Sequence, residues 1–468
     1  MTDQDAEELD VEETLAMVND RGGRPSGTPS TPSPADPPSP STPAAQGRHS
    51  GQASHSGGQA SHSAKDSRHS GTPWPEARAR AERAARSVRR RTPVSVTLDD
   101  ALGLVLAAPL TALTDLPSFD TSAMDGWAVA GPGPWKVRAH GVLAGHARPE
   151  PLTDGEAVRI ATGARVPPDT TAVLRSEHGH TDEGDRLHPT REVVPGQDIR
   201  PRGQECRSGD QLLPLGTLIT PAVLGLAAAA GYDTVSVIRR PQAEVLVLGD
   251  ELLTEGRPHD GLIRDALGPM LPPWLRALGA EVLTVRRIRD DADALYEALK
   301  SSPADLIVTT GGTASGPVDH VHPTLRRLGA ELLVDGVQVR PGHPMLLART
   351  RDNQHLVGLP GNPLAAVSGL LTLAEPLLRT LAGRSAPEPY ALPLQDAVHG
   401  HPRDTRLVPV ALRADQALPL HYNGPAMLRG IAAADALAVV PPGGGRPGQE
   451  LELLDLPWAT AGIQVCFT

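Results

Sequence analysis

Between Pro241 and Leu381 short aliphatic runs alternate with amphipathic ones, and few architectures satisfy that alternation. Glu244–Leu248 reads as a buried strand running straight into Gly249-Asp250-Glu251. A helix is expected over Asp265–Leu278, kinked or split by Pro272 and Pro273 and closed by Gly279. Val282–Ile288 reads as a strand, and Asp290–Lys300 as a helix with acids in its first turn. Asp305–Thr309 is a strand leading into the loop Thr310–Gly316, and Asp319–Leu328 is a helix closed by Gly329. Leu356–Leu359 is a strand, Pro360-Gly361-Asn362-Pro363 a turn, and Leu364–Leu381 a long apolar helix. Strands alternating with helices predict a parallel sheet covered on both faces.

Ligands of such a sheet bind beyond the carboxyl ends of its strands, and three unusual sequences fall there. Asp250 and Glu251 offer paired carboxylates suited to a hard cation such as Mg²⁺, although such a pair also occurs as a solvated turn. The small residues from Thr310 to Gly316 allow backbone N–H groups to approach an anion. Their plainer reading is a tight strand-to-helix connection, and no Gly-Lys-Ser/Thr follows to make a P-loop. Asp319 follows near the same edge, within reach of a metal or a proton. Two prolines stiffen the third turn and leave the Asn362 amide free to donate and accept.

The rest of the chain divides by composition. Residues 1–73 are rich in Pro, Ser, Gly, Thr and Gln and hold too few large apolar residues to offset the entropy of ordering, which predicts a disordered tail. Its repeat GQASHSG/GQASHSA spaces His49, His55, His62 and His69 along a solvated tract, where any metal binding is expected to be weak. Seven Arg against two Glu over residues 75–91 suit a helix with a solvated face. Val94–Thr97 reads as a strand, Leu98 to about Ala107 as a helix, and Pro221–Gly231 as another. From Trp135 to Val194 short β-like pieces alternate with turns. From Leu392 onward Val408–Leu412, Ala436–Val440 and Leu451–Leu454 predict a small β unit. Two cysteines, Cys206 and Cys466, exclude a disulfide framework and a Cys-rich zinc site. The net charge of −11 argues against a general nucleic-acid binder. With no basic n-region and no apolar run of about 20 residues, the expected location is the cytoplasm, with no membrane contact.

Taken in order, SFDTSAMDGWAV, RIATGARVPP, GQDIRPRG, VLGDEL, TTGGTASGPVD, RPGHP and LPGNP resemble the motifs of the molybdopterin molybdenumtransferases, the unit that also forms the C-terminal part of gephyrin. The resemblance spans residues 94–460. It implies an α/β multidomain chain with a central parallel-sheet α/β/α domain of molybdopterin-binding type at 241–385. An elongated mixed domain would be built from 74–120 and 199–240, with a β-rich domain inserted at 121–198 and a C-terminal β-barrel-like domain at 386–468.

The implied reaction inserts molybdate into adenylylated molybdopterin and releases AMP, assisted by Mg²⁺, in a homodimer whose site lies between subunits. A contact with a molybdopterin adenylyltransferase is also implied. By position, the catalytic residues would be Asp125, Thr162, Glu251 and Asp319, with Asp250, Glu251 and Asp319 on the metal. Ser122, Gly311, Gly312, Ser315, Pro360, Gly361 and Asn362 would line the pterin site, and Glu205 would supply the carboxylate after the IRPRG segment. Several positions depart from the family's pattern: Leu248, Ala266-Leu267, Ala314, Pro317, His343 and Ala365 each replace a hydroxyl, amide or charged group. Losing a hydrogen bond to a charged group costs about 1.5–3 kcal/mol. The departures therefore carry an alternative reading, a catalytically weakened homologue acting as a pterin-binding or scaffold protein. The choice between molybdate and tungstate is left open by the motifs.

Overall fold

The computed structural model describes residues 71–88, 92–143, 145, 149–313, 319–351 and 353–456. The histidine repeat, Arg89–Arg91, Ala314, Ser315, Pro317 and Cys466 lie outside the described residues.

Helix α1 (Trp74–Ser87) starts with Pro75 in its first turn, where a missing N–H costs nothing. Trp74, Ala77, Ala81, Ala84 and Ala85 make one buried stripe at helical spacing, while its arginines face outward or pair with acids. Just before it, Thr72–Pro73 pairs in parallel with Val337–Gln338, so the end of the expected tail is a strand.

Residues 94–122 and 199–238 then pair with each other. Val94–Thr97 and Val105–Leu106 flank Thr234–Ile238, Leu110–Thr111 pairs with Gln211–Leu213, and Thr121–Ser122 with Ile199–Arg200. The helix expected from Leu98 to Ala107 stops at Ala101, because Gly103 adopts φ +73° and the chain turns into a strand at Val105. Between these stretches, six strands from Gly126 to Pro189 form one sheet. Trp127, Trp135 and Leu187 pack on one of its faces, and Ala128, Val158 and Val173 on the other. Helix α2 (Pro221–Ala229) is capped by Thr220, whose Oγ1 accepts the Val223 N–H at 3.3 Å.

The α/β unit follows: β1 (Gln242–Leu248), α3 (Leu267–Ala277), β2 (Glu281–Ile288), α4 (Ala292–Ser301), β3 (Leu306–Thr310), α5 (Val321–Arg327), β4 (Glu331–Asp335), β5 (Val337–Arg340), β6 (Leu346–Arg351), β7 (Gln354–Leu359) and α6 (Pro363–Leu381). The sheet order is β2-β1-β3-β7-β6-β4. The first four strands are parallel, but β6 runs antiparallel to its neighbours β7 and β4, so the sheet is mixed rather than wholly parallel. Among the described residues between 331 and 354 no helix intervenes, and antiparallel neighbours need no helical crossover. Between them β5 leaves this sheet and pairs with Thr405–Arg406 of the C-terminal β unit.

Alternate residues of β1, β3 and β7 supply two cores. Val245, Val247, Val308, Val357 and Leu359 pack with α1, α3 and α6 on one face. Leu246, Leu248, Ile307 and Leu356 pack with α4 and α5 on the other. Helix α3 continues through Pro272 and Pro273 instead of splitting there, and Leu271, Trp274 and Leu275 are buried on that face. α1, placed by sequence with the elongated unit, packs instead into the α/β core. Trp74 Nε1 donates to Thr372 Oγ1 at 3.0 Å, and Arg78 pairs with Glu375 at 2.9 Å. Arg78 also donates to the Leu371 carbonyl, where α6 widens into a π turn over Leu370–Ala374. α6 is long and apolar enough to cross a membrane, yet most of it is buried inside this unit.

His355 on β7 is fully buried, and neither ring nitrogen has a hydrogen-bond partner among the described residues. Burial, reinforced by Arg349 across the strand pair and opposed by Asp305, lowers its pKa to about 4. The unfolded chain titrates this group near 6.5. Above that pH both states are neutral. As pH falls below it only the unfolded chain gains the proton, so stability is lost down to the folded pKa and then levels off. Between pH 7 and pH 4.5 this group should therefore remove roughly 2–3 kcal/mol. Urea unfolding at both pH values should show His355→Leu escaping that share of the loss. Equal losses in the two proteins would refute the assignment.

Candidate active site

β1 lies between β2 and β3, so the chain leaves β1 to one side and returns on the other. That reversal opens a crevice at the carboxyl ends of β1 and β3, the place where open α/β sheets bind ligands. The loop after β1 begins with Gly249 at φ +132°, and a Cβ built there would lie 2.6 Å from Glu251 Oε2. The Glu251 carboxylate thus folds back over a position only glycine can fill. Asp250 and Glu251 are both exposed. The Glu251 carbonyl accepts the Ile263 N–H at 2.8 Å, where Leu252–Leu253 pairs with Ile263–Arg264 ahead of α3. Below it, buried Asp265 accepts the Gly268 N–H at 2.9 Å and pairs with Arg287. Leu267, one of the altered motif positions, points into the core beneath α3. Leu248, another, packs on the face shared with α4 and α5.

Gly311 and Gly312 both have positive φ, +78° and +65°. The Gly311 N–H donates to the Leu359 carbonyl at 2.8 Å, joining the glycine loop to the end of β7. A Cβ on Gly312 would press on Val321 at 3.2 Å and Leu248 at 3.4 Å, and one on Gly361 would stand 3.8 Å from the Gly311 Cα. The three loops predicted from sequence therefore meet. Pro360 is buried, while Gly361 and Asn362 are exposed. The Asn362 side chain makes no capping bond to α6. The Leu364 and Ala365 N–H groups go to the Pro425 carbonyl of the C-terminal unit at 2.9 and 3.3 Å, so that helix end is closed by backbone. His343 is fixed by Nδ1 to the Val337 carbonyl at 2.7 Å.

Asp319 begins the approach to α5. Its Oδ1 accepts the Val321 and His322 N–H groups at 3.2 and 3.4 Å, and its Oδ2 meets His322 Nδ1 at 2.9 Å. The other ring nitrogen of His322 meets Asp335 at 2.9 Å. Burial acts to lower the His322 pKa, but Asp335 and Asp319 together outweigh it and the pKa is raised. Among the described residues no group of three or more His, Cys, Asp or Glu side chains is arranged to hold a metal ion. Of the acids expected on a metal, Asp250 and Glu251 stand exposed after β1, and Asp319 is turned to His322. The spacing Asp319-x-x-His322 was available as an i,i+3 signal. Asp335 had none, because its approach depends on the antiparallel edge of the sheet.

A second cluster forms in the inserted β unit. Asp125 Oδ1 accepts the Thr162 N–H at 2.7 Å, and the Asp125 carbonyl takes both the N–H and the hydroxyl of Ser176. The Gly163 N–H donates to the Ser122 carbonyl at 2.8 Å, and the Ser122 N–H to the Ala164 carbonyl at 3.0 Å. Buried Ser122 donates its hydroxyl to the Met124 carbonyl at 2.6 Å, which shapes the turn. Asp125 and Thr162 stay exposed, 37 residues apart in sequence and joined in space. Nearby, Glu205, Arg200, Gln204 and Thr121 line a hollow of about 390 Å³.

Three family models match the chain. They are the MoeA N-terminal region (domain I and II) over residues 72–231, a probable molybdopterin binding domain over 244–380, and the MoeA C-terminal region (domain IV) over 391–456. The chain is 29% identical over 383 residues to the molybdopterin molybdenumtransferase of Staphylococcus aureus (strain N315), covering 77% of this chain and 90% of that protein. It is likewise 29% identical to the enzyme of the same name from Staphylococcus epidermidis (strain ATCC 12228), covering 76% and 94%. Among solved structures it is similar to the molybdopterin biosynthesis MoeA protein from Pyrococcus horikosii. That match has 25% identity and a TM-score of 0.68, and covers 83% of this chain and 99% of that one.

Proposed function

The chain belongs to the MoeA family, and from that premise we propose that it is a molybdopterin molybdenumtransferase. Its substrates are adenylylated molybdopterin and molybdate, and its products are molybdenum cofactor and AMP. The observation that carries the reading is the meeting of three loops at the carboxyl ends of β1, β3 and β7, with two exposed acids on one side and glycines on the other. Gly311 and Gly312 leave room for the flat pterin and its phosphate, and the Asn362 amide offers a donor and an acceptor at the rim. Asp250 and Glu251 fit Mg²⁺, which takes one or two carboxylates and completes its shell with substrate phosphate and water. Bound there, Mg²⁺ supplies neutralisation of phosphate charge and polarisation of the P–O bond. Asp319, oriented by His322, serves as a proton acceptor at the start of α5.

Asp125 and Thr162 complete the site from a second subunit of a cytoplasmic homodimer. Supporting this is an apolar surface on the elongated unit: α2 has the sequence PAVLGLAAA, yet only Ala227 is buried, and Leu113, Leu215 and Leu218 stand exposed beside the same unit. A face of that kind calls for a partner. Contact with a molybdopterin adenylyltransferase, which delivers the adenylylated pterin, follows from the same reading.

Expression in a strain lacking its own transferase tests the proposal. Restored molybdoenzyme activity is expected, and soluble expression without restoration would count against it. The burial of Leu248 and Leu267 at positions where the family carries polar groups favours a second reading, a pterin-binding scaffold. Calorimetric pterin binding without AMP release would select it.

A further inference from the structure

We propose that His322 is a positioning residue for the transferase reaction, holding the Asp319 carboxylate at the glycine loop while Asp335 braces the imidazole from behind. The inference rests on the transferase reading above. Among the described residues, the Asp319 side chain would keep without His322 two long bonds to backbone N–H groups, at 3.2 and 3.4 Å. The 2.9 Å contact to Nδ1 fixes the second carboxylate oxygen. Carboxylates accept and do not donate, so a ring facing one on each side must donate from both nitrogens, and both bonds are charge-assisted. Asp319 and His322 are shielded, with side chains 14% and 21% exposed, whereas Asp335 is 59% exposed.

The brace has a firm origin. Asp335 ends β4, is paired there with Leu346 of β6, and directly precedes Gly336 and β5, which runs into the C-terminal sheet. The line Asp319–His322–Asp335 therefore fastens the loop after β3 to the antiparallel edge of the α/β sheet. A partner behind an active-site carboxylate or ligand typically alters activity by about 10–100-fold when removed.

Asparagine and glutamine separate the two contacts. The amide nitrogen of Asn falls near Nδ1 of the histidine it replaces, and that of Gln near Nε2. His322→Asn keeps a donor for Asp319 and drops Asp335; His322→Gln does the reverse. Each loses one bond, so their melting temperatures should fall by similar amounts. With adenylylated molybdopterin, molybdate and Mg²⁺, His322→Gln should lower kcat by about 10–100-fold and leave KM within about twofold. His322→Asn should restore kcat to within about threefold of the unaltered protein. Asp335→Ala, which changes only an exposed side chain, should lower kcat by about threefold, the same loss as His322→Asn, again at nearly constant KM. Equal kcat values for the Asn and Gln proteins, or the reverse order, would reduce His322 to a clamp between α5 and β4, and an unchanged kcat in Asp335→Ala would remove the brace. Absence of turnover in the unaltered chain overturns the transferase reading and this inference with it; turnover with the wrong order of variants overturns this inference alone.

Discussion

Glu251→Gln should lower AMP release from adenylylated molybdopterin by at least about 100-fold, the scale on which one preorganised electrostatic group acts in catalysis. The substitution keeps size and shape and removes one negative charge. Glu251 is exposed, its carboxylate lies over Gly249, and its backbone carbonyl rather than its side chain holds the loop to Ile263. Folding should therefore be untouched, with a melting temperature within about 2 °C, because exposed substitutions away from such features stay within about 0.5 kcal/mol. Raising Mg²⁺ should recover part of the loss if the missing charge acts through the metal. A Gln variant with full turnover would remove Glu251 from the reaction.

Trp74→Ala should destabilise the α/β unit by about 3–5 kcal/mol, the range for deleting a buried indole. Trp74 is 5% exposed, its Nε1 bonds Thr372, and its ring lies 5.4 Å from the Arg78 guanidinium that reaches the π turn of α6. Losing it unseats the first turn of α1 and exposes a stripe of alanines too small to hold the helix alone. Trp74→Phe should recover most of the loss, since ring area is kept and one hydrogen bond of about 1 kcal/mol is forgone. Denaturant midpoints check the pair. A change below about 1 kcal/mol for the alanine variant would mean that α1 is not part of this core.

Those two residues mark how far the chain could be read in advance. The β1, β3 and β7 strands, their loops and the meeting of those loops follow from local pattern, because a strand's end and a glycine's freedom are properties of a few neighbouring residues. The link between Asp125 and Thr162 required the ordered motifs, since nothing near either residue announces the other. The docking of α1 was missed: a helix rich in Arg with Ala on its inner face looks solvated until the surface it covers is known. The strands β4, β5 and β6 were missed for a related reason. Glu331, Gln338, Arg349 and Arg351 interrupt their alternation, and their pairing depends on turns closed by Gly336 and the residues around His343. The split allowed for at Pro272 and Pro273 does not occur: the helix runs on through both prolines and buries Leu271, Trp274 and Leu275.

The central claim is that the crevice at the ends of β1 and β3 turns over adenylylated molybdopterin. The full chain, incubated with that compound, molybdate and Mg²⁺, should release AMP and yield cofactor able to activate a molybdenum-free apoenzyme. Release should fall sharply when Mg²⁺ is chelated. Bound pterin with neither AMP nor active cofactor would contradict the account and leave a binding protein in its place.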